Sequence, residues 1–420
     1  MLRRRGGVVA LVVGAAVLFG VLALFVSPRV GRALGPALDA VGLGGDLVAR
    51  RVVARGLLNP RGLAFGPDGA LYVAEAGAAG RERVQVAPKQ QYRIGRSGRV
   101  SRIGPDGDRV TLVEGLPSTL TSHDDDVGPT GVAVLGGSVY VLTAAGGTSW
   151  GDSSFDNAVF KIGPGGALAS IFDYQGYNLR EPSLARRSDP RADVPGGMPY
   201  GMAAYGQRLY TTDGNLEFVL ELGPDGQARR ILEYPTSNHV LTGITSGPDG
   251  ALYVAELGPW PYQEGSGRIT RLDLDGQATE RWAGLTTPIA VAVADDGTLY
   301  ALEFTAPLRQ WPNTGRVLRR SQDGGVEALA TRLNFPTAMA LGPDGNLYVA
   351  NNGHHSADGS GEIVRLDLGA QSPLVRLRQW LRSLHAAAAL ILHSSFVPGI
   401  PVLTHSLVQL LRTTHIGSPP

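Results

Sequence analysis

The stretch Gly243 to Glu256, GITSGPDGALYVAE, constrains the fold of this chain more than any other. It reads as a β-hairpin. A short strand around Ile244 enters the Gly247-Pro-Asp-Gly250 turn, and Leu252 to Glu256 returns as a second strand. Proline presets φ for the turn and glycine supplies positive φ without a steric cost. One such hairpin is marginal in water. The chain writes it six times: GLAFGPDGALYVAE (62–75), GVAVLGGSVYVLT (131–143), GMAAYGQRLYTTD (201–213), the stretch above, AVAVADDGTLYALE (290–303) and AMALGPDGNLYVAN (338–351).

Each copy is followed by a third strand, from GRVSRI (98–103) to GEIVRLD (361–367), and most by a fourth. Four antiparallel strands recurring at roughly 40–50 residues are the signature of a β-propeller. A proline precedes five copies by two residues, at Pro60, Pro129, Pro199, Pro288 and Pro336; Leu241 stands there in the fourth. The sixth copy lacks a fourth strand, and Arg51 to Arg55 form an unpaired strand before the first. The expected fold is therefore an all-β, six-bladed propeller over 51–368, closed by pairing 51–55 with 361–367. Closure leaves few exposed strand edges.

The flanks read differently. Arg3, Arg4 and Arg5 precede an uncharged run from Val8 to Val26, close to the ~20 residues that span a bilayer. Residues 1–26 are expected to be an uncleaved transmembrane anchor. The arginines would keep the N-terminus cytoplasmic and the propeller extracytoplasmic; the alternative is a cleaved signal peptide and a secreted protein. Residues 27–50 read as a linker. In the tail, 369–420, Leu374, Leu377, Leu381 and Leu384 form a helical stripe beside Trp380, with Arg376, Arg378 and Arg382 off it. Such a helix packs on the propeller or lies on a membrane surface. A net charge of +1 implies no nucleic-acid partner, and with no cysteine there is neither disulfide nor thiol site.

Strands that alternate direction put the tight turns on one face and the long connections on the other. The long connections are 76–97, 114–128, 144–156, 173–198, 257–266, 304–314 and 352–360. Long loops on a rigid scaffold carry function, so a small molecule or protein is expected to bind at the channel mouth on that face. The last residues of the second strands are Glu75, Thr143, Asp213, Glu256, Glu303 and Asn351, and Arg61 and Tyr200 start inner strands there. A ring of Glu75, Asp213, Glu256 and Glu303 has three readings: a Ca²⁺ site, paired acid–base groups, or carboxylates neutralised by nearby arginines, with Arg61 expected beside Glu75. His123 to Asp126 offer a further ligand or a solvated acidic loop. His354 and His355 would point apart in an extended chain. His239 precedes the fourth hairpin. No G-x-S-x-G, P-loop or H-E-x-x-H occurs.

The strings NPRGLAFGPDGALYVAEAG, MPYGMAAYGQRLYTTDGN, GPDGALYVAELGPWPYQEGSGRITRLD and GPDGNLYVANNGHHSADGSGEIVRLD together resemble the ScyD/ScyE family of extracytoplasmic bacterial propellers, within the wider group that shares GPDG-x-LYVA with NHL repeats. That resemblance spans about 51–368 and implies a binding module with no established catalysis. Gluconolactonase-like lactonases resemble the same hairpin but carry a metal-binding Asn where this chain has Arg61, Thr130 and Tyr200. Quinone-dependent sugar dehydrogenases begin blades with similar strings and need a channel histidine, for which His123 is the nearest residue, and Ca²⁺. A metal-dependent hydrolase or such a dehydrogenase is the alternative function.

Overall fold

The computed structural model describes residues 46–371 apart from 88–89, 186–195, 237, 309–311 and 358. The expected anchor (1–26), most of the linker (27–50) and all but the first residues of the tail (369–420) lie outside the described residues. Among the described residues, no helix is long and apolar enough to cross a membrane.

The described residues form six antiparallel sheets, five of four strands and one of six. Their inner strands, Pro60–Phe65, Pro129–Leu135, Pro199–Tyr205, Leu241–Ser246, Pro288–Val293 and Ala338–Leu341, each contact the next, and the last contacts the first. That closed ring makes the fold a β-propeller of six blades. Closure uses both ends of the propeller sequence. Val48–Leu57 pairs antiparallel with Gly361–Gln371, with Arg51 opposite Arg365 and Val52 opposite Val364. The closing pair is the one the sequence implied, longer at both ends, so Val48 to Arg50 and Gly369 to Gln371 belong to strands and not to linker or tail.

Two close approaches explain the recurring small residues and prolines. At the axis, the inner strands crowd so tightly that a Cβ on Gly201 would lie 2.6 Å from the Thr242 carbonyl oxygen of the next blade. Between blades, the first residue of a third strand packs on the next blade's proline: a Cβ on Gly315 would meet Pro336 Cδ at 2.5 Å. The same fit joins the two ends of the ring, where a Cβ on Gly361 would meet Pro60 Cδ at 2.6 Å. Threonines in alternate blades add hydrogen bonds around the axis. Thr130 Oγ1 donates to the Pro199 carbonyl (3.0 Å), Thr242 Oγ1 to the Pro288 carbonyl (3.1 Å), and Thr337 Oγ1 to the Pro60 carbonyl. The odd blades place larger side chains at that position: Arg61, Tyr200 and Ile289.

Apolar side chains fill the spaces between neighbouring sheets. Met202, Leu209 and Phe218 of blade three meet Tyr140, Leu142 and Val159 of blade two in one buried cluster. Each such side chain contributes about 1.5–3 kcal/mol on burial.

The stretch 76–97, expected to be irregular, is largely strand. Glu82–Ala87 forms a strand against Gln90–Ile103, which runs on into the third strand of blade one. The alternation Val84, Val86, then Tyr92, Ile94 was the available signal. Val84 and Val86 pack beside Tyr92 and Trp150 in a small cluster above blade two. Within 173–198, Tyr174–Arg180 is a short helix capped by the Asp173 side chain.

The axial crowding makes a direct prediction. Gly201→Ala should lower unfolding stability by about 1–3 kcal/mol in urea titrations, the range for overpacking a rigid site. Gly369→Ala, where a Cβ meets nothing within 4 Å, should change it by less than ~1 kcal/mol.

Candidate functional site

The six second-strand ends do lie on the long-loop face, but the structure does not gather them into a ligand set. No three of Glu75, Asp213, Glu256 and Glu303 bring ligand oxygens within 4.8 Å of one another. All four are fully buried, and Glu75, Glu256 and Glu303 are engaged by their own blade and by the segment entering it, whereas Asp213 Oδ2 is buried without a hydrogen-bond partner. Glu75 faces Arg99 directly across the sheet and pairs with it at 2.7 Å. It also accepts from the Leu58 N–H (2.7 Å) and the Ser101 hydroxyl (2.5 Å). Glu256 takes Arg268 at 3.3 Å, the Thr270 hydroxyl at 2.5 Å, Tyr234 at 3.2 Å and His239 Nδ1 at 2.8 Å. Glu303 pairs with Arg316 and accepts from the Thr286 N–H at 2.6 Å. Asn351 repeats the pattern without charge: its Oδ1 accepts from the Asn334 N–H at 2.8 Å and its Nδ2 donates to Glu362 at 2.9 Å. Thr143 Oγ1 reaches the Asp156 and Ala158 carbonyls.

Most of these side chains thus staple the segment arriving from the preceding blade to the end of a second strand. A buried carboxylate is tolerable only with such partners. With three of the four neutralised by arginines and no three close enough to share an ion, the set does not fit a resident Ca²⁺. The partner of Glu75 is Arg99, directly opposite it; Arg61, expected there, instead binds the Asp126 carbonyl.

Asp213 differs. Its Oδ1 accepts three backbone N–H groups, from Met198 (3.2 Å), Asn215 (3.0 Å) and Leu216 (2.8 Å). Burial raises its pKa to about 6, with those N–H bonds opposing. Next to it Glu217 holds a left-handed backbone (φ 59°) and accepts from the N–H groups of His239 (3.3 Å) and Val240 (3.1 and 3.0 Å). Burial pushes Glu217 up to about 8, the N–H bonds opposing and the charges of Asp213 and Glu256 adding to the rise. Sequence reading missed Glu217 because its role comes from a turn, not from the repeat.

The centre of the mouth is built by residues from several blades. Arg61 Nη2 donates to the Asp126 carbonyl at 2.6 Å and lies 3.3 Å from His354 Nδ1. Tyr200 reaches across the axis to donate to the Thr337 carbonyl at 3.0 Å. Arg61, Tyr200 and Ile289 line the axial cavity, whose volume is about 40 Å³, room for one or two waters. Tyr200, Tyr262 and Phe304 pack over one apolar cluster that includes Ile289 and Leu257. Burial pushes the Tyr262 hydroxyl up to about 12, with Asp125 and Glu217 adding to it. Phe335 lies 5.6 Å from Phe304 and 5.7 Å from His354, ring centre to ring centre.

His354 and His355 do not splay apart. His355 adopts a left-handed backbone (φ 57°), and the two rings sit 3.7 Å apart. The loop that holds them is pinned across the closure seam. Ser356 N–H donates to Asn59 Oδ1 at 2.7 Å, and the Asn59 N–H donates to Ser356 Oγ at 3.0 Å. Asp126 faces them: its Oδ2 is 3.3 Å from His354 Nδ1 and accepts the His355 N–H at 3.0 Å. His354 and Asp126 are buried, and His355 is exposed. Burial lowers the His354 pKa against the opposing pull of Asp126, which keeps the ring neutral. His123 is exposed on the same loop as Asp126.

The opposite face holds the tight turns, and three of its acids are already paired with arginines. In blades one, four and six the turn aspartates Asp68, Asp249 and Asp344 bind Arg102 (2.7 Å), Arg271 (2.6 Å) and Arg365 (3.2 Å). Each also accepts from the tyrosine four residues on.

No protein-family model and no curated protein matches the chain. Among solved structures it is similar to a virginiamycin B lyase from Staphylococcus aureus (15% identity, TM-score 0.46, covering 76% of this chain and 99% of that one). It is also similar to a gluconolactonase from Xanthomonas campestris (14%, 0.47, 79% and 92%) and to a calcium-binding regucalcin from Agrobacterium tumefaciens (14%, 0.48, 77% and 94%). None of these likenesses assigns a site residue.

The raised carboxyl groups predict a pH dependence of stability. A carboxyl whose folded pKa exceeds its unfolded value holds its proton in the fold where the unfolded chain has lost it. Stability then falls as pH rises between the two values. For Glu217 that window runs from 4.5 to about 8. Denaturant midpoints of the wild type should decline across it, and Glu217→Gln, whose Oε1 still accepts the N–H bonds, should flatten the decline. An equal slope in both proteins would place the effect elsewhere.

Proposed function

We propose that this chain is a ligand-binding propeller that works through the mouth of its long-loop face, without catalysis of its own. One observation carries the reading. The tight-turn acids of blades one, four and six are engaged with their own blades, whereas the loops and inner strands at the mouth turn Arg61, Asp126, Tyr200, Tyr262, Phe304 and His354 toward one small region. Polar groups converging beside aromatic rings are the usual make-up of a small-molecule site. The axial cavity is too small for a sugar or lactone, so an organic ligand would sit over it, against Tyr262 and the exposed Trp260, whose rings are 5.0 Å apart.

The alternative, a metal-dependent lactonase or a quinone-dependent dehydrogenase, is separated by assay. Aldoses, aldonolactones and short peptides are screened by thermal shift, with and without Ca²⁺, and the lactones and aldoses are followed for turnover. The binding reading expects a stabilising ligand that is not consumed, and an affinity, read from how the shift depends on ligand concentration, that falls at least about fivefold in Tyr262→Ala or Arg61→Ala, as the loss of a ~1 kcal/mol contact requires. Turnover abolished by Asp126→Asn would favour the enzyme. A ligand shift equal in wild type and both mouth variants would contradict the mouth as the site.

The same proposal keeps the ScyD/ScyE-like role and an extracytoplasmic propeller anchored by residues 1–26. Cell fractionation should find the full-length chain in the membrane, extracted by detergent and not by salt. A soluble mature protein beginning between Ser27 and Asp46 would mean a cleaved signal.

A further inference from the structure

We propose that Asp126, His354 and His355 form a binding site for a divalent transition-metal ion of borderline softness, with Zn²⁺ as the reference ion. The proposal deepens the mouth-face reading by naming a ligand class for that face.

Three features of the geometry support it. First, the three residues each offer a ligand atom, and these atoms lie within 4.8 Å of one another. In a tetrahedral site with bonds of about 2.0–2.1 Å, ligand atoms stand roughly 3.3 Å apart. His354 Nδ1 and Asp126 Oδ2 are already at 3.3 Å, so a small closing movement of the exposed His355 ring completes the set.

Second, His354 Nδ1 stands between a donor and an acceptor. Arg61 Nη2, which carries only hydrogens, stands 3.3 Å away on one side, and Asp126 Oδ2, which carries only lone pairs, stands 3.3 Å away on the other. Nδ1 has a single orbital and can serve one of them. In one tautomer it donates to Asp126 Oδ2; in the other it accepts from Arg61 and faces the carboxylate lone pair to lone pair. A cation between Nδ1 and Oδ2 removes that opposition.

Third, the site is built rather than incidental. Asp126 is held by the Arg61 bond to its carbonyl and by the His355 N–H. The histidine loop is fixed by the Asn59–Ser356 pair, and Asn59 is itself buried and bound to the Gly77 carbonyl at 2.8 Å. Phe304 and Phe335 wall the imidazoles on one side. Two imidazoles and a carboxylate select zinc and its first-row neighbours over Ca²⁺ or Mg²⁺, which take oxygen donors. Three protein ligands leave at least one position open to water or to a donor atom of a bound molecule, on the solvent side of His355.

Arg61 sets the strength of the site. Its charge beside Nδ1 opposes a second cation, so the wild-type site is weakened by it and a neutral side chain there should strengthen it.

Calorimetric titration of ZnCl₂ into the full-length protein, stripped with chelator, tests this with no organic ligand present. One ion per chain is expected in the wild type. His355→Gln, an exposed change that keeps the backbone N–H bond to Asp126, should weaken binding at least about tenfold, and Asp126→Asn likewise. Arg61→Gln should tighten it by roughly tenfold, and CaCl₂ in excess should not compete. Absence of Zn²⁺ binding in both wild type and Arg61→Gln overturns the site. So does binding that is unchanged in His355→Gln and Asp126→Asn, which would place the ion on other histidines. A failed organic-ligand screen leaves these outcomes standing, and a failed titration leaves the screen standing.

Discussion

Crowding at the axis is the constraint on which the rest depends. Six inner strands meet around a space of about 40 Å³, and they fit only because the residue facing the next blade is glycine or alanine. A methyl group on Gly201 would lie 2.6 Å from a neighbouring backbone oxygen. Interiors this dense do not deform gradually. The ring is therefore either closed, with every inner strand in place, or broken. Closure in turn depends on the chain's two propeller ends meeting in one sheet, where Val48–Leu57 completes blade six.

That seam also makes the mouth. Asn59 follows the closing strand and precedes the first inner strand. It is buried with a left-handed backbone (φ 49°), and it binds Ser356 from the far end of the propeller. The same loop presents His354 and His355 to Asp126, which lies between blades one and two. Residues far apart in sequence are thus brought together by the joint that completes the ring. The second-strand carboxylates serve the same end elsewhere: Glu75 and Glu303 each bind the backbone of the segment entering their blade, and Glu256 binds the side chain of His239 in the segment entering its own.

Much of the fold was legible in the chain. Turn residues, apolar alternation and the prolines repeat in register, and the missing strand after Asp367 pointed to the spare one at Arg51. Those signals are local and periodic, so they survive being read without coordinates. The site was harder to read for the opposite reason. The repeat places an acid at the end of four second strands, which reads as a ring of ligands; in the fold, Arg99, Arg268 and Arg316 lie directly across the sheet from three of them. The histidine pair reads as splayed because an extended backbone was assumed, whereas His355 is left-handed (φ 57°) and the rings lie 3.7 Å apart. A non-repeating turn conformation leaves no periodic trace, and Glu217 escaped notice on the same ground.

The account ties the mouth to ring closure, and native-state hydrogen exchange tests that link most directly. Val52→Pro fixes φ and removes a backbone N–H in the closing strand where it pairs with Gly361–Gln371. Exchange is then compared with the wild type under native conditions. If closure holds the mouth, protection should fall in 361–371 and also in the loops carrying Asp126 and His354, while Arg208–Asp213 in blade three keeps more of its protection. Loss confined to the closing pair, with both mouth loops exchanging as in the wild type, would contradict the account.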